Sequence, residues 1–403
     1  MELKSMADPF SALPIDIIFD ILTRLPLKTI SQSRFVSKSW YNFIQNPRFA
    51  QLHFSRFKDD FPCAIFPTRY CSSYLIDPES LSKFETFAIA CDLNLKEFRE
   101  NFTISNGWNC FEIVGTVNGL VCFSPERYTY KPAPYYVVNP ITREYVLIPK
   151  SPKIDVNPRA SGFGFDSINN EYKIIRILPN TSKVRSEDEY ETEDEEIYTL
   201  GSGIWREIQL TTNVPSLTIS GMNQSNVLVH GCLHWRPQVK IESKYYDTIL
   251  AFCMASEEFN LIEMPPLSEE GGMIGCFDLI VLNDCLCVIM DGGFMGIKDV
   301  WMMKKYGVHN SWVKEYKIKS LFFHSLCRGY HQVMELKNNE LLLVDDERNL
   351  IYLDWKKNNA NRIKLHDLKG NQVHVEPDFP VCLRGSLLSP KAIDSVRGGI
   401  YII

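Results

Sequence analysis

The chain has 403 residues, 45% hydrophobic and 23% charged, with a formal net charge of −6. That is the make-up of a globular protein of one small and one large domain, or of two to three ordinary ones. The segment from Glu187 to Glu196 holds eight acidic side chains; the remainder is slightly positive and has no basic stripe, which argues against general nucleic-acid binding.

The opening MELKSMADPF lacks the apolar core of a signal peptide. The longest apolar run, Phe277 to Met290, is interrupted by Asp278, Asn283 and Asp284 and is too short to span a bilayer. Twelve cysteines are scattered from Cys63 to Cys382, mostly in apolar runs such as Val121-Cys122-Phe123, and no Cys-x-x-Cys pair occurs. This pattern predicts buried, reduced thiols, a cytoplasmic or nuclear location and no membrane partner.

In chain order, Pro14 suits the start of a helix, and Asp16 and Asp20 complement its dipole. Ile17, Ile18, Ile21, Leu22 and Leu25 then form one broad apolar face, and Pro26 ends the helix. A second short helix is expected from Ile30 to Phe35. Ser37 can cap a third that carries Trp40, Tyr41, Phe43 and Ile44 and stops before Asn46-Pro47. A fourth runs from Pro47 through His53 toward Phe57. So small a unit cannot hide this many large hydrophobes alone. They pack on the downstream domain, or helix 1 offers a docking face to a partner.

Leu13-Pro14, Ile17-Ile18, Ile21-Leu22, Leu25-Pro26, Ile30 and Val36-Ser37-Lys38-Ser39-Trp40 resemble, position for position, the F-box. The resemblance implies that these helices bind the Skp-family adaptor of a cullin–RING ubiquitin ligase. Leu13, Pro14, Ile17, Ile18, Ile21, Leu25 and Pro26 would dock it, with Val36 and Trp40 supporting the helix arrangement. It also implies that everything after the helices is a substrate receptor.

Beyond Lys58-Asp59-Asp60 the texture changes to short runs of Val, Ile, Tyr, Phe and Trp between Gly, Asn, Asp and Pro turns, an all-β signature with no sustained helical period. Two hairpin types alternate. One has a second strand opening on a bulky residue: Phe84, Tyr145, Trp205, Phe259, Trp312 and Ile363, spaced 51 to 61 apart. The other turns tightly at Gly119, Asn170, Gly231, Asp284, Asn339 and Gly385, spaced 46 to 61 apart, where positive φ is tolerated. Two hairpins per repeat predict four-stranded blades of a propeller. The last tight hairpin, around Gly385, has no partner after it, and the one around Phe84 has none before it. Closure then pairs Phe379 to Ser389 with the blade begun by residues 63–90.

Gly115-Thr116-Val117-Asn118-Gly119-Leu120, Asn139-Pro140-Ile141-Thr142-Arg143, and Gly162-Phe163-Gly164-Phe165-Asp166 with Glu171-Tyr172-Lys173 resemble the F-box-associated domain of plant F-box proteins. So do Gly231-Cys232-Leu233-His234-Trp235, Glu258-Phe259, and Val300 to Val308 leading to Ser311-Trp312. Thr116-Val117 stands where Ser-Cys is common in that family, a conservative change for a strand. The expected architecture is α+β and multidomain. A small helical F-box unit spans residues 8–57, and a mainly-β, kelch-like, six-bladed propeller spans residues 62–403.

Candidate chemistry is sparse. His230, Cys232 and His234 could ligate a metal, but Gly231 reads as a turn that separates His230, and no second cluster completes a tetrahedral site. Gly162-Phe163-Gly164 and Asp291-Gly292-Gly293 do not precede helices, so they read as close-packed strands and turns rather than phosphate loops. The acidic run reads as a solvated loop between two strands, or else as a docking strip for a basic partner. Trp205, Trp235, Trp301 and Trp312 recur too regularly for a ligand platform and read as packing between blades.

These readings predict a non-catalytic substrate-recognition subunit of an SCF-type ligase, partnered by a Skp-family adaptor, through it cullin and RING subunits, and by a protein substrate. No cofactor and no nucleic acid are implied. A non-ligase adaptor-binding scaffold or decoy is the alternative, and a propeller enzyme is a third reading without nominated residues.

Overall fold

The computed structural model describes residues 13–57, 63–67, 73–76, 87–92, 111–125, 134–153, 158–179, 193–208, 227–241, 244–266, 277–291, 297–319, 333–335, 340–344, 350–354, 359–367, 372–373, 381–383 and 385–397. Helix α1 (Ile15–Leu22) starts directly behind Pro14, whose φ of −57° leads into helical backbone. It turns Ile18, Phe19 and Leu22 into the core. Helix α2 (Leu27–Ser33) begins three residues earlier than Ile30, because Pro26 opens it in the same way, with φ −56°, rather than merely ending α1. Helix α3 (Lys38–Ile44) is capped as expected, Ser37 Oγ accepting from the Trp40 N–H at 3.2 Å. Helix α4 (Pro47–Phe57) opens on Asn46, whose side-chain oxygen accepts from Arg48 N at 2.9 Å.

Polar bonds, one of them from buried His53, close this helical unit. His53 Nε2, 1% exposed, bonds the Leu25 carbonyl at 2.9 Å, and Arg56 donates to Thr23 Oγ1 at 2.8 Å and to Asp20 at the end of α1. Phe49 fills the gap, its ring 5.3 Å from that of Phe19.

The remaining described residues are mostly strands in antiparallel units. The first two are β1 (Cys63–Pro67), β2 (Ser73–Ile76) and β3 (Phe87–Asp92), and then β4 (Phe111–Val117), β5 (Leu120–Pro125), β6 (Tyr136–Asn139) and β7 (Glu144–Leu147). The next comprises β8 (Ala160–Asp166), β9 (Glu171–Pro179), β10 (Glu193–Thr199) and β11 (Trp205–Ile208). After it, β12 (Val227–Val229) and β13 (Cys232–Trp235) are followed by an inserted hairpin, β14 (Gln238–Ile241) and β15 (Lys244–Asp247), then β16 (Ile249–Cys253) and β17 (Phe259–Ile262). There follow β18 (Phe277–Leu282), β19 (Cys285–Asp291), β20 (Ile297–Met303) and β21 (Trp312–Lys319). The last strands are β22 (Val333–Glu335), β23 (Glu340–Val344), β24 (Leu350–Asp354), β25 (Asn359–Asp367), β26 (Gln372–Val373) and β27 (Val381–Leu383).

Strands β4–β7, β8–β11, β12-β13-β16-β17 and β18–β21 make separate four-stranded sheets. Their tight turns use the expected residues. Asn118-Gly119 have φ of 51° and 79°, His230-Gly231 50° and 73°, and Asn283-Asp284 50° and 56°. That is the paired positive φ of a twist-matched two-residue hairpin. The remaining strands depart from six separate sheets. β22–β25, with β26 on β25, and β27-β1-β2-β3 run together into one nine-stranded sheet through a parallel β25–β3 pairing, Lys364 opposite Phe87.

Chain closure is visible in that sheet, where β27 pairs β1 with Cys63 opposite Leu383. The form differs from the expected hairpin around Gly385. Among the described residues of that segment only β27 is a strand; residues 385–389 run as irregular chain, buried at 386–388, into helix α5 (Pro390–Arg397), which the residue pattern alone does not predict. Asn139, fully buried, holds this segment: its amide nitrogen donates to the Ser386 and Leu388 carbonyls at 3.0 and 2.7 Å. Its oxygen accepts from Ile141 and Thr142 N at 2.8 and 3.2 Å, shaping the β6–β7 turn. Asp394 accepts from Gly201 N at 3.0 Å, and Lys391 lies over the Tyr145 ring. A side chain at Gly385 would collide with Leu27 of α2, so the helices and the chain end touch here.

In an antiparallel meander the first and third turns share one edge of the sheet and the second shares the other. The helical unit lies on the first-and-third-turn edge: Arg34 Nη1 donates to Thr142 O at 3.5 Å. The β14–β15 hairpin interrupts the second connection of its unit and therefore projects from the opposite edge.

Asn139→Ala removes both bonds to the chain end and leaves buried carbonyls without a donor. It is expected to cost about 3 kcal/mol in denaturant unfolding. Asn260→Ala, on an exposed stretch of β17, is expected to cost nearly nothing. Equal effects would show that Asn139 is not the tie it is taken for.

Candidate functional site

Helix α1 is covered on one side only. Ile18, Phe19 and Leu22 are at most 2% exposed, whereas Leu13, Ile17 and Ile21 are 40–46% exposed at intervals of four residues. Four-residue spacing stacks Ile17 and Ile21 along one face of α1, and Leu13 stands just before the helix. Of the other expected docking residues, Pro14 and Pro26 are exposed, and Leu25 and Trp40 are half-buried against the core. Ile18 is drawn inward and offers no surface: the broad apolar stripe read from spacing is two narrower stripes, one buried and one bare. Val36, expected to support the helix arrangement, is 69% exposed. Ile15, Phe35 and Tyr41 are exposed too, and Phe35 reaches 78%. Spacing on α1 missed these last two because they lie on other elements.

The junction between the β8–β11 and β12–β17 units is charged and dry. Lys173 Nζ, 2% exposed, meets Asp166 Oδ2 at 2.8 Å, Glu257 Oε1 at 2.9 Å and the Met254 carbonyl at 2.8 Å. Glu257 also pairs with Arg206. Burial alone would raise the Asp166 carboxyl, but bonds from Lys173, Asn169 and the Asn169 and Ile168 backbone outweigh it and hold it at about 2. Burial would likewise lower Lys173, yet Asp166 and Glu257 keep its ammonium above the ordinary value. Around this pair the neighbouring unit presses onto bare backbone. A Cβ at Gly162 would strike Leu233 and Trp235, and one at Gly164 would strike Met254. The glycine-rich run is thus a packing surface, not a ligand loop.

The tryptophans are packing residues, as expected. Trp205 and Trp312 each open the fourth strand of their unit, are buried, and donate Nε1 to a carbonyl just past the preceding unit, Pro149 at 2.7 Å and Glu263 at 3.0 Å. Trp235 donates to Ser161 O at 3.4 Å.

His234 is a core residue. Its Nδ1 donates to the Val227 carbonyl at 3.2 Å and its Nε2 accepts from Tyr306 OH at 2.8 Å, so both ring nitrogens are engaged. Burial, with His230 nearby, lowers it to about 4 and keeps it neutral. Among the described residues no group of three His, Cys, Asp or Glu side chains is arranged to hold a metal.

The acidic run is corrected at its end. Residues 187–192 lie outside the described residues, but Glu193 to Glu196 form the start of β10, and Glu195 and Glu196 are buried. Glu196 accepts from Ser151 Oγ at 2.7 Å and faces Arg176 Nη1 at 3.5 Å, while Arg176 lies over the Trp205 ring. Charge composition alone could not tell these carboxylates from solvated ones, because their partners lie far off in sequence.

A family model described as the F-box associated beta propeller domain matches residues 71–383, and one described as the F-box domain matches residues 10–52. The chain belongs to this family: it is an F-box protein with an F-box associated propeller. Its relatives include F-box protein CPR1 of Arabidopsis thaliana, 27% identical over 89% of this chain and 85% of that one. F-box protein At3g07870 of the same plant is 28% identical over 89% of this chain and 88% of that one. Among solved structures, the Dos1 propeller overlaps 78% of this chain and 74% of its own at 8% identity and a TM-score of 0.34. So loose a superposition adds nothing to the family match. No helix among the described residues is long and apolar enough to cross a membrane.

Two measurements test these interior bonds. The Asp166 carboxyl sits at about 2 against an ordinary 3.8, so it favours the fold above the ordinary value and loses that contribution as pH falls toward 2. The contribution is about 2 kcal/mol, and unfolding at stepped pH should show Asp166→Asn losing less stability than the parent across that acid window. Glu196→Ala should cost about 3 kcal/mol at neutral pH, since it takes an acceptor from the buried Arg176 and Ser151. A loss under half a kilocalorie would return Glu196 to the solvated class.

Proposed function

We propose that this protein is the substrate-recognition subunit of an SCF-type cullin–RING ubiquitin ligase. In this reading residues 8–57 dock the Skp-family adaptor and residues 62–403 hold the protein to be ubiquitinated. The observation that carries it is the bare apolar pair of Ile17 and Ile21 on a helix whose other side is already filled by Ile18, Phe19 and Leu22, with Leu13 exposed just before the helix starts. Apolar side chains that the fold could have buried and did not are the mark of a protein interface. A groove on the adaptor would receive them as helix-in-groove anchors, with Leu25, Pro14 and Pro26 at the rim and Trp40 fixing the helix packing.

The reading assigns no chemistry to this chain. Its contribution is proximity: a substrate held near a charged conjugating enzyme reacts at a raised effective concentration. The helical unit lies against one edge of the β units, so the substrate is received on the other edge, where the β14–β15 hairpin projects. The place of action is the cytoplasm or the nucleus. A scaffold that holds the adaptor without a substrate shares the docking face, and differs in that removing the helices would leave no protein to accumulate.

Ile17→Ala with Ile21→Ala should weaken adaptor binding by about 2 kcal/mol in a titration while leaving the melting temperature near that of the parent. Ile18→Ala, on the buried side, should instead cost about 3 kcal/mol of stability. Unchanged affinity in the double variant would remove this row from the interface.

A further inference from the structure

Two cysteines from adjacent strands face each other near the edge of one β unit. Cys232 opens β13, Cys253 ends β16, and the two are partners in the antiparallel register. Met254 N donates to Gly231 O at 3.0 Å, so the backbone bond brackets the pair from outside. That makes it a non-hydrogen-bonded pair, in which Cα atoms are about 4.5 Å apart and side chains approach most closely. The two thiols are within hydrogen-bonding reach of each other, and both are free.

We propose that Cys232 and Cys253 form a reversible dithiol–disulfide pair, oxidised by small-molecule disulfides of the glutathione type. The two sulfurs have different environments. Cys253 is half-buried at the head of the Met254–Glu257 turn. Burial would raise its thiol, but the Ser256 and Ala255 N–H groups and the Ser256 hydroxyl outweigh this and hold it below the ordinary value. Cys232 is buried, beside Tyr306, and burial pushes it up to about 11. Cys253 is therefore the attacking thiol and Cys232 the resolving one.

The exchange balances without any other reagent. The Cys253 thiolate attacks one sulfur of oxidised glutathione, forming a mixed disulfide and expelling a glutathione thiolate. Cys232 then loses its proton to solvent, and its thiolate attacks Cys253 Sγ and expels the second glutathione thiolate. Two protein thiols are oxidised and one small disulfide is reduced to two thiols. A Cα separation at the short end of the range for disulfides disfavours an unstrained bond, so the link is readily reduced and acts as a switch rather than a permanent staple. Its position gives it a readout. Met254, the next residue, accepts Lys173 through its carbonyl, and Glu257 in the same turn pairs with Lys173 and Arg206. Cross-linking β13 to β16 therefore stiffens the turn that joins two units.

The test uses the full chain equilibrated in glutathione buffers from reducing to oxidising, quenched by alkylation and mapped as non-reduced peptides. A peptide pair linked through Cys232 and Cys253 should accumulate as the buffer becomes oxidising and vanish with dithiothreitol. In Cys232→Ser, glutathione should remain on Cys253; in Cys253→Ser, Cys232 should stay unmodified. Absence of the linked pair from the parent chain at the most oxidising ratio overturns the proposal whether or not the variants fold. So does alkylation of Cys232 faster than Cys253.

Discussion

The side chain of Asn139 holds the end of the chain against its middle, and much of the architecture depends on it. One amide spends both of its ends: the oxygen shapes the turn after β6, and the nitrogen takes two carbonyls of the segment leading to α5. Asn139 itself is buried, so each bond replaces water that cannot return. Because β27 just upstream pairs with β1, fixing this segment also fixes the first strand after the helices. Leu27 of α2 rests on Gly385 in the same place. The helical unit, the first complete β sheet and the closing strand thus meet around one polar side chain, which carries the exposed row of α1 in a set position relative to the β units.

The junctions between β units use two different devices. One is repeated and mostly apolar: a tryptophan at the start of a fourth strand fills the gap and gives its N–H to a carbonyl of the unit before. The other is charged: at one junction Lys173 is buried between Asp166 and Glu257. Buried ion pairs rarely outdo apolar packing of the same volume in net stability, since both charges must be stripped of water. What they do is punish misplacement, because a shift leaves a charge without its partner in a dry site. Gly162 and Gly164 make the close approach around that pair sterically feasible.

Helix α1 shows how the two halves of an amphipathic pattern can have opposite fates. Ile17 and Ile18 are chemically the same side chain, adjacent in sequence, and one is bare while the other is sealed. Ile18 joins Phe19, Leu22, Ile30, Ile44 and Phe49 in one buried cluster, while Ile17 faces away from it. Asp20 is engaged by Arg24 and Arg56 near the C-terminal end of α1.

Much of this was legible in the residues themselves. Ser37 as a cap, Asn118-Gly119 and His230-Gly231 as tight turns, Trp205 and Trp312 as strand starts, and the pairing of the chain's end with its first strand all follow from local chemistry and repeat spacing. All but the last are short-range properties, set by backbone dihedrals and side-chain alternation that a few residues specify; the closing pair is long-range and was read from the repeat count. The burial of Glu195 and Glu196, the inward turn of Ile18, the β14–β15 insertion, the α5 helix and the parallel β25–β3 contact were not legible. Each depends on a partner distant in sequence: Ser151 and Arg176 for Glu196, the cluster with Ile30, Ile44 and Phe49 for Ile18, and β6, β7 and Gly201 for α5. A charge or an isoleucine has no burial of its own. Tertiary structure decides it by bringing, or failing to bring, a neighbour that can replace water.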